Sequence, residues 1–216
     1  MKLSKQTVDV LKNFNGINQG ILFKEGNVIR TMSVMKNVFG TAVVADKFPK
    51  EFAIYDLGEF LSTLSLFDDP ELQFADEYFV ISGKGSKVKY FYSNPSVVTA
   101  PPDKNIAMPE PDATFTMTKE NFEQIVKAAA VMKLKQLAVT KEGLRVFNHD
   151  VGNQYTVELE VQCGDENAEF IFNVENLKMI PANYEVEISA KGIAHFKAAA
   201  TTETPELEYF VALESA

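Results

Sequence analysis

The chain has 216 residues, 46% of them apolar and 11% aromatic, enough to bury a core in each of one or two domains. A formal net charge of −9 taken whole argues against nucleic acid as a partner, but residues 1–100 carry 11 basic and 11 acidic side chains while residues 101–216 carry 10 and 19. One cysteine, Cys163, excludes an internal disulfide; no apolar run reaches the ~20 residues of a bilayer span, and Met1-Lys2-Leu3-Ser4 lacks the apolar stretch of a signal peptide, so a soluble protein of a reducing compartment is expected.

In chain order, the first element is a helix over residues 5–13. Ser4 stands at its N-cap, where a hydroxyl can accept from an orphan backbone N–H, and Leu3 and Val8 stand where an apolar pair staples the entrance. Val8, Leu11 and Phe14 form its apolar stripe, with Lys5 and Lys12 nearly opposite. Turn residues at Gly26-Asn27 separate strand patterns, and a short helix is predicted over residues 59–66, after Asp56. Val88, Tyr90 and Tyr92 alternate with Lys87, Lys89 and Phe91 after a Gly83-Lys84-Gly85 turn. Then Pro95, Pro101, Pro102, Pro109 and Pro111 fall within residues 94–112, which favours an extended connector.

Beyond the connector the pattern begins again. Met117-Thr118-Lys119 repeats Leu3-Ser4-Lys5 at an offset of 114, with Phe122 and Ile125 answering Val8 and Leu11. After three extra residues the offset is 117: Lys141-Glu142-Gly143 answers Lys24-Glu25-Gly26, and Ile171-Phe172-Asn173-Val174 answers Ile54-Tyr55-Asp56-Leu57. The second long helix is predicted over residues 119–132, with Phe122, Ile125, Ala129 and Met132 inward and Lys119 and Lys127 off the stripe. Tyr155, Val157, Leu159, Val161 and Cys163 alternate with polar residues as one strand, after a Gly152-Asn153 turn; a short helix follows over residues 175–179. Leu207, Tyr209, Val211 and Leu213 make a final strand. A unit this long is a duplicated domain rather than a solenoid repeat. The expected architecture is α+β, mostly antiparallel, as a first domain over 1–94, a connector over 95–112 and a second domain over 113–216.

Catalytic signals are thin. His149-Asp150 lacks further ligands at useful spacing and reads as a turn; Cys163 reads as core; Gly83-Lys84-Gly85-Ser86 is followed by strand residues, not the helix a phosphate loop needs. Asp68, Asp69 and Glu71 read as an acidic loop. No enzyme, no metal and no cofactor are expected. The oddity is that Lys5 and Lys119 both occupy the first helical position, where a cation opposes the helix dipole. A local rule broken twice in register points to function. In the connector and last strand, Val97, Val98, Ile106, Met108 and Phe210 are apolar residues with no obvious core of their own, candidates for a partner pocket.

Met1-Lys2-Leu3-Ser4-Lys5, Ala53-Ile54-Tyr55-Asp56-Leu57 with Phe60-Leu61 and Leu64-Ser65-Leu66, then Leu177-Lys178-Met179, Asn183-Tyr184 and Val211-Ala212-Leu213-Glu214 together resemble the sliding clamps of T-even-type bacteriophages. The resemblance runs the whole length and rests on core and strand patterns. It implies two clamp domains per chain, three chains closed head to tail into a ring, and duplex DNA passing through without sequence recognition. Helices would line the hole, which makes Lys5, Lys12, Lys119 and Lys127, with Lys133 and Lys178, the expected DNA-facing residues. It implies, as partners, the C-terminal tail of a DNA polymerase, an ATP-driven clamp loader, and a sigma-like factor and coactivator of late transcription, all in the cytoplasm of an infected host cell. For the subunit interface it implies pairing of strand 87–93 of one chain with strand 155–163 of the next: Lys87, Lys89, Tyr90 and Phe91 against Glu158 and Glu160. The alternative is a duplicated adaptor that does not encircle DNA.

Overall fold

Each half builds one long helix against antiparallel strands. The computed structural model describes residues 1–104 and 106–214. They form two compact units: one of Met1–Asp103 with Ala200–Glu206, the other of Lys104–Ala199 with the chain from Leu207 on. In the first lie α1 (Lys5–Asn15), β1 (Ile21–Phe23), β2 (Gly26–Met32), β3 (Val38–Phe48), β4 (Phe52–Ile54), α2 (Leu57–Leu64), β5 (Glu71–Phe74), β6 (Tyr78–Gly83) and β7 (Ser86–Phe91). Downstream come β8 (Ala113–Met117), α3 (Lys119–Met132), β9 (Gln136–Thr140), β10 (Gly143–Asn148), β11 (Val151–Glu158), β12 (Gln162–Cys163), β13 (Phe170–Asn173), β14 (Tyr184–Ser189), β15 (Ile193–Ala198) and β16 (Glu206–Ala212).

The duplication survives in the pairing register. β1 pairs with β4 through Ile21 and Ile54, and β9 with β13 through Ala138 and Ile171, the same pair moved by 117 positions. β2 and β10 both begin on a glycine with positive φ, Gly26 at 115° and Gly143 at 128°. At Gly143 a Cβ would also lie 2.3 Å from the Val157 carbonyl oxygen, so only glycine fits. β5, β6 and β7 form a meander, and in the other unit β11-β10-β9-β13 and β12-β8-β14-β15-β16 run in those orders.

Both helix entrances form as their sequences dictate. Ser4 Oγ accepts from Thr7 N at 3.2 Å, and Thr118 Oγ1 accepts from Asn121 N at 3.1 Å, on matching extended cap conformations. The first helix is turned slightly from the expected stripe. Thr7, Val10, Leu11 and Phe14 are buried while Val8 is only half-buried. The cause is Asp46 on β3, whose Oδ2 accepts from Ser4 N at 2.8 Å, Ser4 Oγ at 2.7 Å and Thr7 Oγ1 at 2.5 Å, drawing Thr7 inward.

Several other expectations are corrected. The helix over 175–179 is a single 3-10 turn, Val174–Asn176, because Leu177 and Met179 are both buried at a spacing of two, which an α-helix cannot put on one side. The helix after Asp56 starts two residues early, with Asp56 Oδ1 accepting from Glu59 N at 2.9 Å. Met132 is 38% exposed rather than part of the inner stripe. The turn expected at Gly152-Asn153 is formed by His149-Asp150, and Gly152 and Asn153 lie within β11. The strand expected over 155–163 is two strands: β11 ends at Glu158, and Gln162-Cys163 pairs with Thr114-Ala113 in another sheet. Val161 is buried between them, so the alternation continued although the partner changed.

Aromatic rings fill the first core. Phe79, fully buried, meets Phe52, Phe60, Phe74, Tyr90 and Tyr92 with centroids 5.4–5.9 Å away. In the second, Tyr184 crosses Phe122, Phe196 and Tyr209 at 6.1–6.2 Å, and its hydroxyl donates to the Ile180 carbonyl. Burial pushes the phenols of Tyr184 and Tyr209 upward, and that of Tyr90 to about 12, helped there by Glu59 and Asp56. A phenol whose pKa is raised on folding contributes stability in full below the unfolded value of ~10, and loses it as pH rises toward the folded one. The urea midpoint should therefore hold level to about pH 9.5 and fall above pH 10. A Tyr90→Phe, Tyr184→Phe chain should fall less over the same range.

Candidate nucleic-acid interface

The six lysines singled out from sequence are all exposed. Lys5 opens α1 directly after its cap, and Lys12 lies two turns on, its Nζ 3.5 Å from Asp9 Oδ1. Lys119 opens α3, where its backbone N–H donates to Asn183 Oδ1 at 2.8 Å, and Lys127 follows two turns on. Lys133 ends α3 in the left-handed conformation, φ 55°, a place usually given to glycine. Asn148 holds that cap, its amide donating to the Lys133 carbonyl at 3.1 Å and its oxygen accepting from Lys135 N at 2.6 Å. Lys178 follows the 3-10 turn. Lys5 and Lys119 therefore occupy matched positions in the two units, each with a second exposed lysine two turns on, while Lys133 and Lys178 have no basic counterpart in the first unit. α2 carries none: Glu59 and Ser62 are its exposed residues.

The five pocket candidates do not share one environment. Val97 is 57% exposed, and Ile106 and Met108 are half-buried. Val98 is 9% exposed, packed so closely that a Cβ on Gly20 would lie 3.1 Å from its Cγ1. Phe210, expected to have no core of its own, is 7% exposed, because its ring stacks on His195 at 4.3 Å and 7°. The connector instead closes a cavity of about 260 Å³ that the sequence did not announce. Its apolar wall is Leu22, Val28, Ala100 and Pro101, and its charged lining is Lys24, Glu25, Arg30 and Asp103. Lys24 is ion-paired to the Asp103 carboxylate, and Arg30 Nη1 donates to the Asp103 carbonyl at 3.4 Å. Lys24 foremost, with Arg30, holds the Asp103 carboxyl below the usual range. The signal available beforehand was Lys24 just before β2 and Arg30 on it, either side of Val28, with prolines downstream.

The two strands named for subunit pairing are each the outer strand of their sheet among the described residues. β7 exposes Lys87, Lys89 and Phe91 and turns Tyr90 inward against Phe79. Lys89 Nζ sits 3.9 Å from the Tyr78 ring centroid and 4.7 Å from that of Phe91. β11 exposes Glu158, but Glu160 lies beyond its end, in a hollow with Glu185 and Glu187. Among the described residues no group of three His, Cys, Asp or Glu side chains could hold a metal, and no helix is long and apolar enough to cross a membrane. Burial raises the pKa of Cys163, which suits packing rather than nucleophilic use.

Fold comparison places this architecture among the clamps. The chain superposes on proliferating cell nuclear antigen from Entamoeba histolytica with a TM-score of 0.70 at 13% identity, covering 97% of this chain and 95% of that one. The same antigen from Thermococcus kodakaraensis gives 0.69 at 13%, covering 97% and 96%. Sequence comparison is narrower. A family model described as DNA polymerase processivity factor matches residues 2–98, and one described as gp45 sliding clamp, C terminal, matches residues 114–215. The sliding clamp of Vibrio phage KVP40 is 36% identical, covering 100% of both chains. That of Enterobacteria phage T4 is 35% identical, covering 100% of this chain and 97% of its own. The chain belongs to the phage sliding-clamp family of DNA polymerase processivity factors.

Proposed function

We propose that three copies close head to tail around duplex DNA and tether the replicative polymerase of a phage in its infected host, with no catalysis of their own. The observation that carries this is the matched pair of exposed lysines at the first positions of α1 and α3, set by identical cap geometry. A cation there opposes the helix dipole by a few tenths of a kcal/mol. Contact with phosphates would offset that cost. Such contacts give affinity without reading bases, which suits a ring that slides. Lys12 in the first unit, and Lys127, Lys133 and Lys178 in the second, are the further phosphate contacts of this reading, while the acidic strand faces disfavour DNA elsewhere. A clamp loader that opens the ring and late-transcription factors are further partners in this reading. For the polymerase tail the connector cavity beside Pro101 is the preferred docking surface over the set Val97, Val98, Ile106, Met108 and Phe210, of which Val98 and Phe210 are buried.

The test is Lys5→Glu with Lys119→Glu. Folding and assembly should change by less than about 0.5 kcal/mol, because both side chains are exposed. Polymerase processivity and retention of the loaded clamp should fall. The dependence of log retention on log salt should flatten by about five, from some six lost phosphate contacts per ring at ~0.9 each. Unchanged processivity at moderate salt in an intact oligomer would return these lysines to an ordinary solvated surface.

A further inference from the structure

Resting on the polymerase-tail reading above, we infer that Asp103 is a self-occupying latch on the connector cavity, and that the ligand displacing it is a peptide chain end presenting a free carboxylate beside an apolar side chain. The cavity is small, about 260 Å³, below the range of most ligand pockets. That volume suits one or two side chains at the end of a peptide better than a segment passing through. Its wall of Leu22, Val28, Ala100 and Pro101 is apolar, and Val28 is 39% exposed, so an apolar occupant would cover surface now facing water.

The charges specify the rest. Two cations, Lys24 before β2 and Arg30 on it, line the cavity together with one acid of the same stretch, Glu25, and Lys24 forms its ion pair with Asp103 rather than with Glu25. What they hold is the connector: Lys24 takes the Asp103 carboxylate, and Arg30 donates to the carbonyl of the same residue. The chain thus shows, with its own residue, where a carboxylate sits. Both Lys24 and Asp103 are exposed, and an ion pair in water is weak, so an incoming carboxylate can replace it at little cost. A chain end supplies that charge, and a terminal side chain supplies the apolar contact. While Asp103 is seated, only the fraction of molecules with it released is competent, and the apparent affinity is lowered by that fraction. Specificity follows too: a ligand without a carboxylate would leave the cations to Asp103 and bind by its apolar group alone.

The test uses the full chain and two synthetic heptapeptides labelled at the N-terminus, both ending in Leu-Phe, one as the free acid and one as the amide, measured by fluorescence anisotropy. Against the wild-type chain the acid should bind about two- to fivefold tighter than the amide, the range an exposed ion pair supports. Asp103→Asn should tighten the acid about two- to fivefold and leave the amide unchanged. Lys24→Gln with Arg30→Gln should erase the difference between the peptides. Equal binding of acid and amide, or an Asp103→Asn chain that binds the acid no better, overturns the latch. Binding of neither peptide overturns it as well. Processivity measured on the same samples separates the two levels: normal polymerase stimulation with a failed latch leaves the clamp reading standing, and its absence removes both.

Discussion

Phe79→Ala is expected to lower unfolding stability by about 3–5 kcal/mol, the largest single loss available in the first unit. The ring is fully buried, stacked at 5° on Tyr90 and in contact with four other aromatics from β4, α2, β5 and the segment after β7. Removing it leaves a cavity among rigid rings that cannot collapse inward without breaking their mutual edge contacts. Against a typical total of 5–15 kcal/mol this is a fifth or more. The urea midpoint reads the loss directly, and Phe79→Leu should recover at least half. The same variant should let the Tyr90 phenol titrate lower than about 12, since burial is the chief cause of its rise. A loss below about 1.5 kcal/mol would mean the cluster repacks, and would remove Phe79 as the keystone of the β5-β6-β7 meander.

What could be read beforehand was local and repeated. Caps at Ser4 and Thr118 and the glycines at 26 and 143 follow from short-range chemistry, and the duplication doubled each signal. Misreadings came where a distant partner decided. Asp46 on β3 turned α1 by one residue, and nothing in residues 5–15 could announce it. The alternation from Tyr155 to Cys163 is genuine, yet it spans two strands, because period two records which side faces a core and not which strand is the neighbour. Phe210 was misplaced for the same reason: its outward position on β16 is covered by His195 from β15. The lysine positions were legible because charge on a helix face needs no tertiary information. The connector cavity was not, because it arises only when residues 100–103 fold back on β2.

Reversing Lys87 and Lys89 to Glu should shift the assembly toward monomer at micromolar concentration, if β7 of one chain pairs with β11 of the next. Both are outer strands among the described residues, with backbone groups available to a neighbour. Head-to-tail closure needs two different, complementary edges, and these carry opposite outward charge. Tyr90 turns inward to Phe79, so the exposed apolar contribution at this edge falls to Phe91, 57% exposed, and on the other edge to Val151, 48% exposed. Each cross-strand charge pair is worth about 0.2–1 kcal/mol, and Glu158 is the one acid on β11, so one pair at each of three interfaces amounts to about 0.6–3 kcal/mol per ring. Lys89 also rests on the Tyr78 and Phe91 rings, so Lys89→Gln is the control for that lost contact. The strand boundary at Glu158 sharpens the rescue. Glu158→Lys alone should restore the ring in the doubly reversed chain, and Glu160→Lys should not, because Glu160 lies past the end of β11 with Glu185 and Glu187. Sedimentation of the four chains decides it. A reversed chain that stays fully assembled excludes this pairing, and rescue by Glu160→Lys in place of Glu158→Lys excludes this register.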